Sequence, residues 1–160
     1  MDEMILTDIE TIPTGLRVAP MTPEILPGVV TLEEECGLNS RGIEGYRRML
    51  SNPGAILLAV IEKDDRVIGV FSGSVVVDEL QIDDLAISLL YRRRGIGRKL
   101  LNSAFSLAKS LGAHTAILEV RSANSPAREF YQKEGFKVVG LRSRYYTSPP
   151  DDALLFSREI

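Results

Sequence analysis

Leu80-Gln81-Ile82-Asp83-Asp84-Leu85-Ala86-Ile87-Ser88-Leu89 is the stretch on which the fold turns. Apolar side chains fall on even numbers at Leu80 and Ile82, then on odd numbers at Leu85, Ile87 and Leu89. Period-two alternation marks a strand with one buried face, and a one-residue slip inside it marks a β-bulge, here near Asp83-Asp84. A strand interrupted in this way is expected to bend away from a neighbour. It is followed by Arg92-Arg93-Arg94-Gly95-Ile96-Gly97, after which Leu100, Leu101, Ala104, Leu107, Ala108 and Leu111 repeat at helical spacing, with Gly112 as a stop. The predicted order is bulged strand, glycine turn, helix.

Upstream, residues 56–61 and 67–77 predict an antiparallel hairpin across the turn Lys63-Asp64-Asp65-Arg66. Before it, 16–18 predict a short strand, 22–36 a helix entered through Pro23, and 43–50 a second helix ended by Asn52-Pro53-Gly54. Downstream, Ala116, Leu118 and Val120 predict a strand, which His114 simply begins. Ser125 as N-cap and Pro126 open a helix carrying Ala127, Phe130 and Tyr131, stopped by Gly135. Two strands, 136–144 and 153–158, close the chain around a polar Pro149-Pro150 loop. This pattern predicts an irregular tail over 1–15 and one α/β (α+β) domain over 16–160, a mixed sheet with helices on its faces.

A chain of 160 residues with 44% hydrophobic and 26% charged residues is an ordinary single globular domain rather than a disordered segment. One cysteine, Cys36, and one histidine, His114, leave no material for an internal disulfide or for a Cys/His metal centre, so a reducing cytoplasm and no metal are expected. The acidic start Met1-Asp2-Glu3-Met4, and the absence of any run of about 18 apolar residues, predict neither a signal peptide nor a membrane partner. The net charge of −3 divides unevenly: residues 1–80 carry 6 Lys+Arg against 14 Asp+Glu, residues 81–160 carry 13 against 8. The acidic whole argues against nucleic-acid binding, while the basic second half suits one small polyanion.

The glycine turn is where such an anion would sit. The first N–H groups of a helix have no intrahelical partner, the helix dipole is positive there, and Gly95 and Gly97 remove side chains that block close approach, so the turn suits a pyrophosphate. Taken alone, the turn also allows the lesser reading of an ordinary solvated helix start. The third glycine of a dinucleotide fingerprint and the Gly-Lys-Ser/Thr ending of a Walker loop are both missing.

With Arg92, Gly95 and Gly97 at the matching positions, the turn resembles the Arg/Gln-x-x-Gly-x-Gly/Ala motif of the GCN5-related N-acetyltransferases (GNAT). Asn124, Ala127, Tyr131, Gly135 and Phe136 reproduce that family's Asn-x-x-Ala-x-x-x-Tyr-x-x-x-Gly-Phe pattern. Leu118-Glu119-Val120-Arg121, Arg142-x-x-Tyr145-Tyr146 and Asp152-Ala153 resemble its RimI-type branch, which acetylates the N-terminal amine of a ribosomal protein. The resemblance covers residues 80–160 well and the first half in outline. It implies a sheet of about seven strands in which the bulged fourth splays from the fifth, leaving a slot for the pantetheine arm of acetyl-CoA. It further implies that backbone groups of Leu85, Ala86 and Ile87 pair with that arm, the Ile87 amide facing the thioester oxygen. Arg92, Arg93, Arg94, Gly95, Ile96, Gly97 and Arg98 then hold the phosphates. Asn124 contacts the cofactor or, as the residue type also suits, caps a helix.

Acetyl transfer needs a neutral amine, and an α-amine with a pKa of about 8 is nearer that state at neutral pH than lysine at about 10.4. By the resemblance Glu119 is the general base, against a reading as a surface carboxylate paired with Arg121 or Arg128, and Tyr131 is the general acid toward the departing thiolate, against a reading as a core aromatic. Cys36 beside Glu33, Glu34 and Glu35 is a poor acetyl carrier, so direct transfer is expected. Those acids, Glu35 in particular, draw a cationic amine or simply face water. Tyr145 and Tyr146 hold a peptide backbone or pack a sheet edge. The expected partners are acetyl-CoA and a protein or peptide N-terminus, a ribosomal one among the candidates, for a monomer or homodimer. A free small amine as acceptor, and a non-catalytic acyl-CoA-binding module, are the alternatives.

Overall fold

The computed structural model describes residues 15–160; the tail expected over 1–15 lies, Gly15 apart, outside them. The elements run β1 (Leu16–Pro20), α1 (Leu26–Glu35), α2 (Gly42–Leu50), β2 (Ala55–Glu62), β3 (Val67–Val76), β4 (Glu79–Ile87), α3 (Ile96–Ser110), β5 (Thr115–Arg121), α4 (Ser125–Lys133), β6 (Lys137–Thr147) and β7 (Pro150–Glu159). The strands form one mixed sheet in the order β1-β2-β3-β4-β5-β7-β6, with β4 and β5 parallel and the other neighbours antiparallel.

Helices cover both faces, and each face has its own core. Leu100, Leu101, Ala104 and Ala108 of α3 and Tyr131 of α4 pack with Ile56, Leu58, Val60, Phe71 and Leu80. Leu26, Val29 and Leu32 of α1 and Tyr46 of α2 pack with Leu57, Ala59, Ile61 and Val70 on the other side. Strand β2, covered on both faces, is therefore apolar at every position from Ile56 to Ile61 rather than alternating.

The bulge lies where the parity slip placed it. Gly73 of β3 is opposite Ile82 and Ser72 is opposite Asp84, so Asp83 has no partner across the ladder. The extra residue restores the facing of the apolar positions: Leu80 and Ile82 before it, and Leu85 and Ile87 after it, all pack toward α3 and α4. Asp84 and Ala86 consequently belong to the α1 side. Beyond the bulge β4 parts from β5, pairing with it only at Glu79, Gln81 and Leu80 between them, opposite Thr115, Ile117 and Ala116.

Four expectations need correction. Residues 22–36 are not one helix: Pro23–Ile25 form a 3-10 turn, and α1 begins at Leu26, with Pro27 in its first turn where a missing N–H costs nothing. β4 ends at Ile87 rather than Leu89, because Leu89–Tyr91 turn as a short 3-10 helix that leaves Leu89 exposed. The N-cap of α4 is Asn124, not Ser125: the Asn124 carboxamide oxygen accepts from the Ala127 N–H at 3.3 Å. The Pro149-Pro150 loop is shorter than expected, since β7 already begins at Pro150.

Candidate active site

The splay between β4 and β5 is built by backbone, not side chains. Leu85, Ala86 and Ile87 are opposite Phe71, Val70 and Gly69 of β3, but their other edge carries no strand, so that apart from the Ile87 carbonyl, which accepts from Arg92, it is open to pair with an extended ligand. At the far end, the chain enters α3 through Arg93 at φ 62° and Gly95 at φ 78°. Two left-handed residues this close turn successive N–H groups toward one point. Among the described residues no side chain caps α3 and no acid lies in its first turn, so its first N–H groups are left for an anion. A Cβ on Gly95 would meet nothing within 4 Å, so the turn is open there, whereas one on Gly97 would rest in van der Waals contact with Phe130 and Ile87 at 3.6–3.7 Å.

The arginines divide their duties. Arg92 folds back on β4, its Nε donating to Ile87 O at 2.8 Å, with Nη2 3.7 Å from Cys36 Sγ. Arg94 lies over the Tyr91 ring, and Arg98 pairs with Glu134 at 3.4 Å. Arg93, exposed, is engaged by no ion pair among the described residues.

Tyr131 is placed by the way α4 ends. Gly135, at φ 88°, closes the helix in a Schellman arrangement, with Phe136 N donating to Tyr131 O at 2.9 Å and Gly135 N to Gln132 O at 3.1 Å. The accompanying apolar contact is between the Tyr131 and Phe136 rings, 5.4 Å apart and edge-on, with Phe130 and Phe156 completing the cage. Burial first, and the Asp84 charge second, push the phenol's pKa far up. The side chain is thus a core aromatic whose hydroxyl lies within electrostatic reach of β4 across the splay.

Glu119 lies on β5 between the inward Leu118 and Val120 and so presents to the opposite side of the sheet from Tyr131. Its partner is Arg142 of β6, at 3.0 Å, rather than Arg121 or Arg128, the partners that the competing surface-carboxylate reading named. Arg121 instead donates to the Pro149 and Ser148 carbonyls and stacks over Tyr146 at 4.1 Å, while Arg128 donates to Ser122 O. Tyr145 and Tyr146 meet edge-on at 5.1 Å, and the Glu119 charge is among the influences that raise the Tyr146 phenol, second to burial. The structure therefore gathers Glu119, Arg142, Tyr145 and Tyr146 into one group across β5 and β6, with Glu119 on β5 beyond its last pairing with β4. Asn124 is occupied as a cap, and Glu35 is an exposed residue at the end of α1.

Three residues were not singled out from the sequence: Glu33 for itself, Ser72 and Asp84. Glu33 is completely buried, Oε1 accepting from the Tyr46 hydroxyl. Its position was legible after all, seven residues beyond Leu26 and four beyond Val29 on the buried stripe of α1. Asp84 faces the same space from β4. Burial raises the pKa of both carboxyls, and each charge faces the other. Among the described residues no group of three His, Cys, Asp or Glu side chains is arranged to hold a metal ion.

An open strand edge leading to a glycine turn without a side-chain cap suits an extended, phosphate-bearing ligand, and the family match gives the class: an acyl-group transferase. The chain belongs to the acetyltransferase (GNAT) family, whose signature matches residues 26–136. It is an acetyl-CoA-dependent N-acetyltransferase. A Bacillus subtilis protein, provisionally named a [ribosomal protein bS18]-alanine N-acetyltransferase, is 41% identical over 110 residues, covering 69% of this chain and 72% of its own. In fold, the chain is similar to the ribosomal-protein-S18-alanine N-acetyltransferase of Escherichia coli, at TM-score 0.79 and 22% identity over 91% of this chain and 94% of that one. It is likewise similar to Arabidopsis thaliana NAA60 in complex with acetyl-CoA, at TM-score 0.81 and 17% identity over 91% and 98%. No helix among the described residues is long and apolar enough to cross a membrane.

Proposed function

We propose that the acceptor is the N-terminal α-amine of a protein or peptide, in the manner of the RimI-type relatives, with a ribosomal protein as the first substrate to try. The observation that carries this reading is the group of Glu119, Arg142, Tyr145 and Tyr146 across β5 and β6, where a main chain finds hydrogen-bonding phenols beside a carboxylate. The similarity to proteins named for alanine N-acetylation supports it.

In this reading β4 residues Leu85, Ala86 and Ile87 align the pantetheine arm, and the turn from Arg92 to Arg98 holds the phosphates through its amides, with Arg93 and Arg94 adding charge. Glu119, through Oε2 or a water, takes the proton from the acceptor nitrogen; Oε1 is held by Arg142. Tyr131 hydrogen-bonds the departing sulfur from the other side of the sheet. A phenol with so raised a pKa stabilises a thiolate by donating a hydrogen bond rather than by giving up its proton. Base and acid on opposite sides suit direct transfer, the amine arriving from one side as sulfur leaves toward the other, with Cys36 carrying nothing.

The test is incubation with acetyl-CoA and peptides beginning Ala, Ser, Thr or Met, with free lysine and polyamines as comparators, followed by CoA release and mass spectrometry. Acetylation confined to peptide N-termini supports the reading. Modification of free amines alone overturns it in favour of a small-molecule acceptor.

A further inference from the structure

Opposite the bulge, on the α1 side, three polar side chains come together whose chemistry none of these roles uses. Ser72 and Asp84 are in register across β3 and β4, and Glu33 of α1 lies within electrostatic reach of Asp84. Two of their atoms have no hydrogen-bond partner among the described residues although fully buried: Glu33 Oε2 and Ser72 Oγ, both on residues with no exposed surface. Such atoms are costly to leave unmatched: the Glu33 oxygen is an acceptor without a donor, and the Ser72 hydroxyl, which can both donate and accept, has the Asp84 carboxyl beside it. The charged groups facing Asp84 are Glu33 from α1, Arg41 from the start of α2, and Asp83 on its own strand; the phenols are Tyr46 from α2 and Tyr131 from α4. Arg41 is tied to Asp83 by an ion pair of 3.0 Å. Arg41 also acts on Asp84 and Glu33, but burial outweighs it at both, and Glu33 Oε2 keeps an unused acceptor; among the described residues no third ligating side chain completes a metal site, so a metal ion is not what they suit.

We propose that Asp84, backed by Glu33 and Ser72, is the subsite that receives the acceptor's ammonium group beside the thioester. An ammonium brings three N–H donors and one positive charge; the Asp84 carboxylate, the Ser72 hydroxyl and the Glu33 carboxyl oxygen offer it acceptors, and Asp84 a counter-charge. Asp84, half-buried, directly precedes Leu85 where β4 has parted from β5, and its charge reaches Tyr131, so it lies beside the slot. Asp84 is on this reading a recognition residue that selects amines over neutral analogues, distinct from Glu119. The inference deepens the acceptor reading and depends on its peptide form only for the choice of probe.

The experiment compares an alanine-initiated peptide with the same peptide carrying a hydroxyl in place of its α-amine. Both are titrated calorimetrically into the CoA-loaded wild type and the CoA-loaded Asp84→Asn variant. Wild type is expected to prefer the amine, and Asp84→Asn to weaken amine binding by about ten- to a hundredfold while leaving the hydroxyl peptide nearly unchanged. Amine affinity should also fall as pH drops and the two carboxyls take up protons, a dependence the variant should lose in large part. A variant that weakens both peptides equally has merely deformed the site, and that result, like an unchanged preference for the amine, overturns the proposal. Should wild type acetylate free amines and not peptides, the peptide reading fails by itself. The same comparison then runs on that amine and its alcohol.

Discussion

At the scale of single residues, Glu119 and Tyr131 lead to distinct kinetic outcomes. Glu119→Gln is expected to lower turnover by about 10²- to 10⁴-fold at neutral pH, read as steady-state kcat with acetyl-CoA affinity held. Tyr131→Phe removes one hydroxyl from a cage of three phenylalanines that stays intact, so folding should be preserved while the single-turnover rate falls. Because Tyr131 keeps its proton far above the ordinary phenol range, it should cause no alkaline decline in rate up to about pH 10. Asp84 and Glu33 act on stability in a pH-dependent way. Their folded-state pKa values are raised, so the folded chain binds more protons than the unfolded one, and stability is fullest below the ordinary carboxylate range and falls as pH rises through the raised values. Asp84→Asn should therefore melt higher than wild type at pH 8, with the gap closing in acid, as differential scanning calorimetry across pH can record. Glu119 and Tyr131 were legible because each lies within a spaced motif. Ser72 and Asp84 were not, since their meaning depends on a register between strands and on a helix from elsewhere in the chain.

At the scale of elements, caps decide where α4 begins and ends. Asn124→Ala should cost about 1 kcal/mol through the lost bond to Ala127, roughly 2–4 °C in a protein of this size, and a separate rise in KM for acetyl-CoA would show cofactor contact as well. Gly135→Ala forces a side chain into a left-handed conformation and should cost about 1–2 kcal/mol while disturbing Tyr131, whose carbonyl and ring both belong to that closure. The bulge was legible because alternation has a strict period, and α3 because its apolar stripe is long. The entry to α1 was misjudged because Pro23 and Pro27 both look like helix starts, and only packing at Leu26 distinguishes them. Asn124 and Ser125 posed the same difficulty, two good capping residues side by side.

At the scale of the molecule, the sheet order was the least legible property: β7 inserts between β5 and β6, and only contacts distant in sequence decide that. The splay, by contrast, followed from one misplaced parity. Saturating acetyl-CoA at about 100 times Kd should add roughly 2.7 kcal/mol of apparent stability, and hydrogen exchange should slow most at the β4 amides beyond the bulge. The three pairings that join β4 to β5 also mean that the sheet is two panels, β1 to β4 and β5 to β7, meeting at a seam. A pantetheine arm lying in that seam fastens one panel to the other. Starved of acetyl-CoA, the chain is expected to gape along this line and be cut sooner by proteases, so that its lifetime, and not only its rate, would register the supply of its own co-substrate.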